Sequence, residues 1–188
     1  MSTLRVILLV ISALWIASEI GLAVLRRAGS GATRRDAGSL FVLNAVIYVS
    51  VALGMFLGMT GRGRLQLPTA AFWLGLIAIV AGLAVRWWAV LTLRRFFTVD
   101  VAIHADHRLV QSGPYRFVRH PAYSGLLLSF AGLALCASSW VSALVILVPI
   151  AAALLFRIHV EEGALLDAFP SEYREYAARR ARLLPGVY

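Results

Sequence analysis

The chain has 188 residues, of which 61% are hydrophobic and only 14% are charged. An average soluble domain is about 45–50% apolar and about 25% charged, so this composition excludes an ordinary water-soluble protein and a disordered one. The 18 basic residues are all arginine, and with 9 acidic residues they give a net charge of +9. In so apolar a chain we interpret this charge as basic loops that face the cytoplasm and anionic lipid, and we expect no nucleic-acid partner.

Five apolar segments follow one another along the chain, and each predicts a membrane-spanning helix. A spanning helix needs about 20 apolar residues at about 1.5 Å per residue, which the first three segments reach. The last two are shorter, and only Ser138 and Ser139 separate them, which predicts a tight antiparallel helical hairpin. We therefore expect an all-α membrane protein of one structural domain. The predicted spans are residues 6–25, 38–59, 69–93, 121–137 and 140–156.

The arginine distribution predicts the orientation in the membrane. With five spans, the first loop, the third loop and the tail lie on one side and hold 14 arginines, against 3 on the other side. The positive-inside rule then places the N-terminus outside and the C-terminus in the cytoplasm. Six of the arginines are interpreted as snorkelling side chains that form a basic collar. These are Arg94, Arg95, Arg116, Arg179, Arg180 and Arg182.

Two polar segments, residues 94–120 and 157–188, flank the hairpin and meet at the predicted cytosolic face. In the first, GPY at 113–115 predicts a turn and RHP at 119–121 predicts a helix start, because proline suits the first helical position. That helix end carries partial positive charge and suits an anionic group. A capped helix with an interfacial Tyr123 does not explain Arg119 and His120 together, so the spacing leaves a binding site and a simple cap equally open.

In the second polar segment, Arg157 and Glu161 are four residues apart and share one helical face. A surface pair of this kind contributes only about 0.3–0.5 kcal/mol. The hairpin, however, returns both residues to the membrane face that holds His120. An arginine can bind a carboxylate bidentately, so this convergence suits a zwitterionic or carboxylate ligand.

Other chemistries find less support in the sequence. The histidines and nearby aspartates show no established zinc spacing, and we expect no metal. The chain has no GxSxG, P-loop or GxGxxG motif, and its one cysteine, Cys136, cannot form a disulfide within the chain. The metal candidates considered are Asp100, His104, Asp106, His107, His120 and His159.

Four motifs in order, HRLV at 107–110, GPY at 113–115, RHPAYSG at 119–125 and EE at 161–162, resemble the isoprenylcysteine carboxyl methyltransferase family. The tail is similar to the family's ending, although Pro170 stands where the family usually has glycine. The likeness covers about half the chain. It implies an integral-membrane enzyme that transfers a methyl group from S-adenosyl-L-methionine and releases S-adenosyl-L-homocysteine.

The resemblance also implies how the chain is divided and which residues act. Residues 1–93 would provide three transmembrane helices, and residues 94–188 would form the catalytic region, with a cytosolic cofactor pocket between the third loop and the C-terminal helices. Arg157 matches the arginine near the substrate carboxylate. The implied cofactor contacts are Asp100, His107, Leu109, Val110, Tyr115, His120, Pro121, Tyr123 and Glu161.

The expected acceptor is lipophilic, and the resemblance favours a prenylcysteine-type carboxylate. A phospholipid amine or a lipidic phenol belongs to the same class but needs a base such as His120 or Glu161. Two other functions remain open: an NADPH-dependent membrane reductase, because the RHPxYxG element also resembles sterol-reductase tails, and a scaffold or small transporter. Small residues of the third span could pack helices within or between chains, which leaves the oligomeric state open. They are Gly75, Ala78, Ala81 and Gly82.

Overall fold

The computed structural model describes residues 3–25, 33–34, 38–97, 102–103 and 109–187. In this part of the chain the structure is helical, apart from one pair of two-residue strands, β1 (Thr33–Arg34) and β2 (Ala102–Ile103), which are antiparallel. Short 3₁₀ turns lie at Arg94–Phe96 and Gly113–Arg116. The α-helices are α1 (Thr3–Leu25), α2 (Ser39–Met59), α3 (Pro68–Leu93), α4 (Pro121–Cys136), α5 (Trp140–Ala168) and α6 (Pro170–Arg179).

Four helices, α1, α2, α3 and α5, are long and apolar enough to cross a bilayer, which confirms a multi-pass helical membrane protein. The fifth predicted span, α4, has 16 residues. At about 1.5 Å per residue it is roughly 24 Å long, less than the hydrocarbon core of about 30 Å. By length, therefore, the structure supports four of the five predicted spans.

Helix α5 is longer than its apolar segment. The sequence predicts a span that ends at residue 156, but the helix continues to Ala168. Pro149 lies within the helix, and the next proline in the chain is Pro170. A proline disfavours helical backbone at the residue before it, so the helix ends there. The polar residues from Arg157 onward therefore share one rigid helix with the apolar span.

The predicted hairpin between α4 and α5 is confirmed. Ser138 adopts a left-handed backbone with φ 51°, and the hydroxyl of Ser139 caps α5 by accepting a hydrogen bond from the Ser142 N–H at 3.2 Å. The turn also binds the α2–α3 loop: the Leu65 N–H donates to the Ser138 carbonyl at 3.0 Å, and the Ser139 hydroxyl donates to the Arg62 carbonyl at 2.6 Å. These two connections form one end of the bundle.

The remaining connections meet at the opposite end. Strand pairing of β1 with β2 joins the first loop to the third. The Arg119 N–H donates to the Ala181 carbonyl at 2.9 Å, which joins the third loop to the tail. The polar segments before and after the hairpin are thus brought together.

Helices α3 and α4 touch through glycines. A Cβ added at Gly75 would lie 2.5 Å from the Gly132 carbonyl oxygen, and one added at Gly82 would lie 2.5 Å from that of Gly125. The glycines in each helix are seven residues apart, so they meet as two antiparallel pairs. These small residues of the third span therefore pack helices within this chain, one of the two possibilities left open by the sequence.

The apolar core lies between α2, α3, α4 and α5, with α1 attached at its side. Residues such as Ile79, Phe130, Ile146 and Ile150 are buried there. Helix α1 contributes Trp15, whose ring centroid lies 4.9 Å from that of Phe130. The core holds the start of α4 against the middle of α5, which sets the geometry of the polar end.

Candidate active site

The site begins at the N-terminus of α4, where Pro121 is the first helical residue, as predicted, and His120 is the N-cap residue. The His120 carbonyl accepts hydrogen bonds from the N–H groups of Tyr123 and Ser124, both at 3.0 Å, and its own N–H donates to the Arg182 carbonyl at 3.0 Å. These bonds fix the backbone of His120, and the residue is 4% exposed. They also use two first-turn amides within the protein, rather than presenting them to an anion.

Four predicted site residues form a connected group. The Arg157 Nε donates to the Tyr123 hydroxyl at 3.1 Å, and that hydroxyl donates to Glu161 Oε2 at 2.9 Å. The His120 ring stacks on the Tyr123 ring with centroids 5.8 Å apart, and its Nδ1 lies 3.9 Å from Glu161 Oε2. The two arms of the hairpin therefore bring a cation, a phenol, an imidazole and a carboxylate together.

Glu162 is the centre of a second group that the sequence assignment missed. Its Oε1 lies 3.2 Å from His120 Nε2 and 3.3 Å from Arg119 Nη1, and its Oε2 lies 3.0 Å from Arg182 Nη2. We call these four residues the Glu162 cluster. Consecutive helical residues point about 100° apart, so Glu161 and Glu162 reach opposite sides of His120. The sequence offered this signal: two adjacent glutamates on a helix can contact both sides of one group, so both residues of the EE motif could have been assigned to the site.

The position of Arg182 corrects one interpretation. The sequence suggests a snorkelling arginine in a basic collar, but Arg182 bonds to the buried carboxylate of Glu162 through both Nε and Nη2. By contrast, Arg179 pairs with Glu175 at the surface, with both side chains about two thirds exposed. Arg182 differs because the chain after α6 turns back along the start of α4.

Hydrogen bonds from several side chains fix that returning tail. The Ser124 hydroxyl donates to the Leu183 carbonyl at 2.6 Å, and the Tyr176 hydroxyl donates to the Tyr115 carbonyl at 2.7 Å. Burial raises the pKa of Tyr176 to about 12, so its hydroxyl remains a proton donor at neutral pH. The tail thereby closes one side of the site.

The other predicted cofactor residues lie around this group or outside the described residues. Tyr115 is buried beside Ala89 and Ala122, with Val110 packed against them. Burial, with a smaller effect of the Glu161 charge, raises the pKa of Tyr115 well above its usual range. Leu109 is half-buried and Pro121 is buried, whereas the metal candidate His159 is exposed. Asp100, His104, Asp106 and His107 lie outside the described residues.

A separate ion pair lies within the membrane-spanning part. The guanidinium of Arg86 in α3 contacts the carboxylate of Glu19 in α1 through two nitrogens, at 2.5 and 2.6 Å. Its third nitrogen donates to the Ala122 carbonyl at 3.4 Å. The sequence shows each charge alone in an apolar segment, and the structure pairs them, as is usual for charges inside a bilayer.

The fold and the site define a helical membrane protein whose paired glutamates, arginine and histidine-capped helix meet at one end of the bundle. The sequence model of the isoprenylcysteine carboxyl methyltransferase (ICMT) family matches residues 73–167, half of the chain, and the protein belongs to this family. The resemblance drawn from the motifs is thereby confirmed.

Individual relatives agree with this assignment. A protein of Oryza sativa subsp. indica, named a probable protein-S-isoprenylcysteine O-methyltransferase, is 34% identical over 117 residues, which is 61% of each chain. Protein-S-isoprenylcysteine O-methyltransferase B of Arabidopsis thaliana is 36% identical over 60% of this chain and 58% of the relative. The solved structure of a eukaryotic intramembrane Ras methyltransferase matches 77% of this chain and 52% of that chain, with TM-score 0.59 and 27% identity. The chain spans about three fifths of the curated relatives it matches.

Proposed function

We propose that this protein is a membrane-embedded methyltransferase that uses S-adenosyl-L-methionine and methylates a lipophilic acceptor, in the first place the carboxylate of a prenylcysteine-type substrate. The proposal rests on one observation: two hydrogen bonds connect the side chains of Arg157, Tyr123 and Glu161 beside His120. These bonds link the Arg157 guanidinium, which suits an anionic acceptor, to the Glu161 carboxylate, which suits a cationic donor. The names of the plant relatives support the choice of acceptor.

The donor half of the site is formed by Glu161 and its neighbours. S-adenosyl-L-methionine supplies a methyl group on a positively charged sulfur and also carries an ammonium group. The Glu161 side chain is 33% exposed, and among the described residues it is hydrogen-bonded only through Oε2. A partly exposed carboxylate of this kind fits a cationic ligand. His120, Tyr115 and the apolar residues near them would line the same pocket, together with Asp100 and His107 as the resemblance implies.

The acceptor half of the site is formed by Arg157, which is 2% exposed. A carboxylate is already ionised at neutral pH, so its methylation needs no general base. The protein must instead align the acceptor and exclude water, and alignment alone can lower a barrier by about 7–11 kcal/mol in ideal cases. Arg157 would orient the carboxylate through bidentate hydrogen bonds. Pairing that is too tight would stabilise the ground state and slow the transfer.

The proposal includes an orientation in the membrane. In sequence the first loop, the third loop and the tail hold 14 arginines. Their described parts lie at the site end of the bundle, and the α2–α3 loop with Arg62 and Arg64 lies at the other end, beside the hairpin turn. This alternation fits five crossings, with the short helix α4 as the fourth. The N-terminus would then be outside, and the site would face the cytosol. A polar donor would enter from the cytosol and a lipid-tailed acceptor from the bilayer.

The test is methyl transfer from a labelled donor to a panel of prenylcysteine analogues, phosphatidylethanolamine and alkylphenols. We expect labelling of the prenylcysteine analogues, and a loss of about 100-fold or more for Arg157→Ala and Glu161→Ala, comparable to removing one charge-stabilising group from an active site. The control His159→Ala changes an exposed residue of the same helix and should retain activity. A wild-type protein that binds S-adenosyl-L-homocysteine but labels no acceptor would contradict the proposal.

The pH dependence separates the possible acceptors. A carboxylate acceptor predicts a rate that is flat around neutral pH, because the nucleophile stays ionised. An amine or phenol must lose a proton, so its methylation predicts a rate that rises with pH through the pKa of a base. A sloping profile on the preferred acceptor would therefore favour the amine or phenol alternatives.

A further inference from the structure

Helix α2 reaches the acceptor half of the site through its first residue, Ser39. This serine is fully buried, and its hydroxyl oxygen accepts a hydrogen bond from Arg157 Nη1 at 2.7 Å. It lies outside residues 73–167, which the family model matches. The sequence gives it no role, because it is a small residue 118 positions from its partner.

The contact matters because of the shape of the guanidinium group, which is planar with its N–H donors in fixed directions. Arg157 Nε is bonded to the Tyr123 hydroxyl in α4, and Nη1 is bonded to the Ser39 hydroxyl in α2. Two bonds from different nitrogens to different helices fix both the position and the plane of the group. The Ser39 bond is therefore one of the contacts that set this plane.

The packing of helix α2 on α5 fixes the position of Ser39. The buried residues of α2 are Ser39, Leu43, Ser50 and Gly54, which form one face of the helix. That face packs on α5, where Gly54 meets Ile146 and Gly58 meets Ser142. The serine hydroxyl is therefore carried by a helix that is packed against the same helix as Arg157.

We propose that Ser39 is a positioning residue for the methyl acceptor, which acts by fixing the guanidinium plane of Arg157. The inference rests on the proposed function, because it takes Arg157 as the group that orients the acceptor carboxylate. It makes α2, which lies outside the matched family region, part of the acceptor half of the site. The donor half, around Glu161, should not depend on Ser39.

The test compares Ser39→Ala with Ser50→Ala in the full-length protein. Ser50 lies eleven residues further along the same buried face, which places it about three turns from Arg157. For Ser39→Ala we expect kcat/KM for the acceptor to fall about tenfold, the equivalent of about 1.4 kcal/mol. The dissociation constant of S-adenosyl-L-homocysteine should stay within about twofold, because an effect near 0.4 kcal/mol is small. Ser50→Ala should match the wild type in both measurements.

A second comparison asks whether the effect passes through Arg157. In an Arg157→Lys background, adding Ser39→Ala should change kcat/KM little, since an ammonium group cannot bridge both hydroxyls as the guanidinium does. Ser39→Thr keeps the hydroxyl and should recover part of the activity lost in Ser39→Ala.

Each outcome separates the two proposals. Equal losses in Ser39→Ala and Ser50→Ala, additive losses with Arg157→Lys, or weakened binding of S-adenosyl-L-homocysteine would overturn the role of Ser39 and leave the proposed function intact. Wild-type protein that binds this product but methylates no acceptor would instead overturn the proposed function.

Discussion

The Glu162 cluster and the Glu19–Arg86 pair both bring a glutamate carboxylate against arginine, but the two arrangements have different consequences. In the cluster, one carboxylate of α5 is shared by Arg119, His120 and Arg182, which come from two other segments of the chain, at the end of the bundle. In the pair, one carboxylate and one guanidinium face each other between two helices inside the apolar part. The first arrangement fixes the relative positions of several segments around a site. The second neutralises two charges that the bilayer would otherwise disfavour.

The largest effect is expected for Glu162→Leu, which removes the carboxylate that Arg119, His120 and Arg182 share. Breaking a buried ionic group by removing one partner costs about 3–5 kcal/mol. The variant should show a clearly lower thermal unfolding temperature in detergent. Glu162→Gln retains a hydrogen-bond acceptor and should lose less. An unfolding temperature equal to that of the wild type in Glu162→Leu would show that the cluster does not hold these segments together.

A smaller effect is expected when the membrane pair is broken. Glu19→Leu or Arg86→Leu alone should cost about 2–3 kcal/mol, less than a fully buried pair, because the Glu19 side chain is 31% exposed and can relax toward water or lipid headgroups.

The double variant, Glu19→Leu with Arg86→Leu, should recover most of that loss. A buried pair can be replaced by apolar residues at little cost when both charges go together, and thermal unfolding of all four proteins measures the coupling. Additive losses in the double variant would mean that the two charges have separate roles. The cluster offers no such replacement, because four groups would have to change at once.

The smallest effects separate two arginines of the tail. Arg182→Ala removes one of the two arginines that contact Glu162 and should cost about 1 kcal/mol, with faster proteolysis of the residues after α6. Arg179→Ala removes an exposed pair with Glu175 and should change stability by less than about 0.5 kcal/mol. Limited proteolysis with mass spectrometry measures the difference. Equal cleavage of the two variants would mean that Arg182 does not anchor the tail.

Local signals in the sequence were sufficient for much of the architecture and for part of the site. The start of α4 at Pro121 follows from a backbone preference that acts within a few residues. The turn at Ser138 and Ser139 follows from the short polar break between two apolar segments. The shared face of Arg157 and Glu161 follows from the helical repeat. Hydropathy marks the end of the predicted span at residue 156, whereas the polar segment after it continues α5 until backbone chemistry ends the helix before Pro170.

What the sequence determined by itself is therefore an apolar helical bundle, its closing hairpin and the motifs that identify its family. Only the tertiary structure decided which charges and hydroxyls meet: Glu162 with Arg182, Glu19 with Arg86, and Arg157 with Ser39. The physical reason is that a charge or polar group removed from water must find a partner. Its chemistry specifies the kind of partner, but helix packing determines which residue comes within reach, and for Arg157 that residue lies 118 positions away.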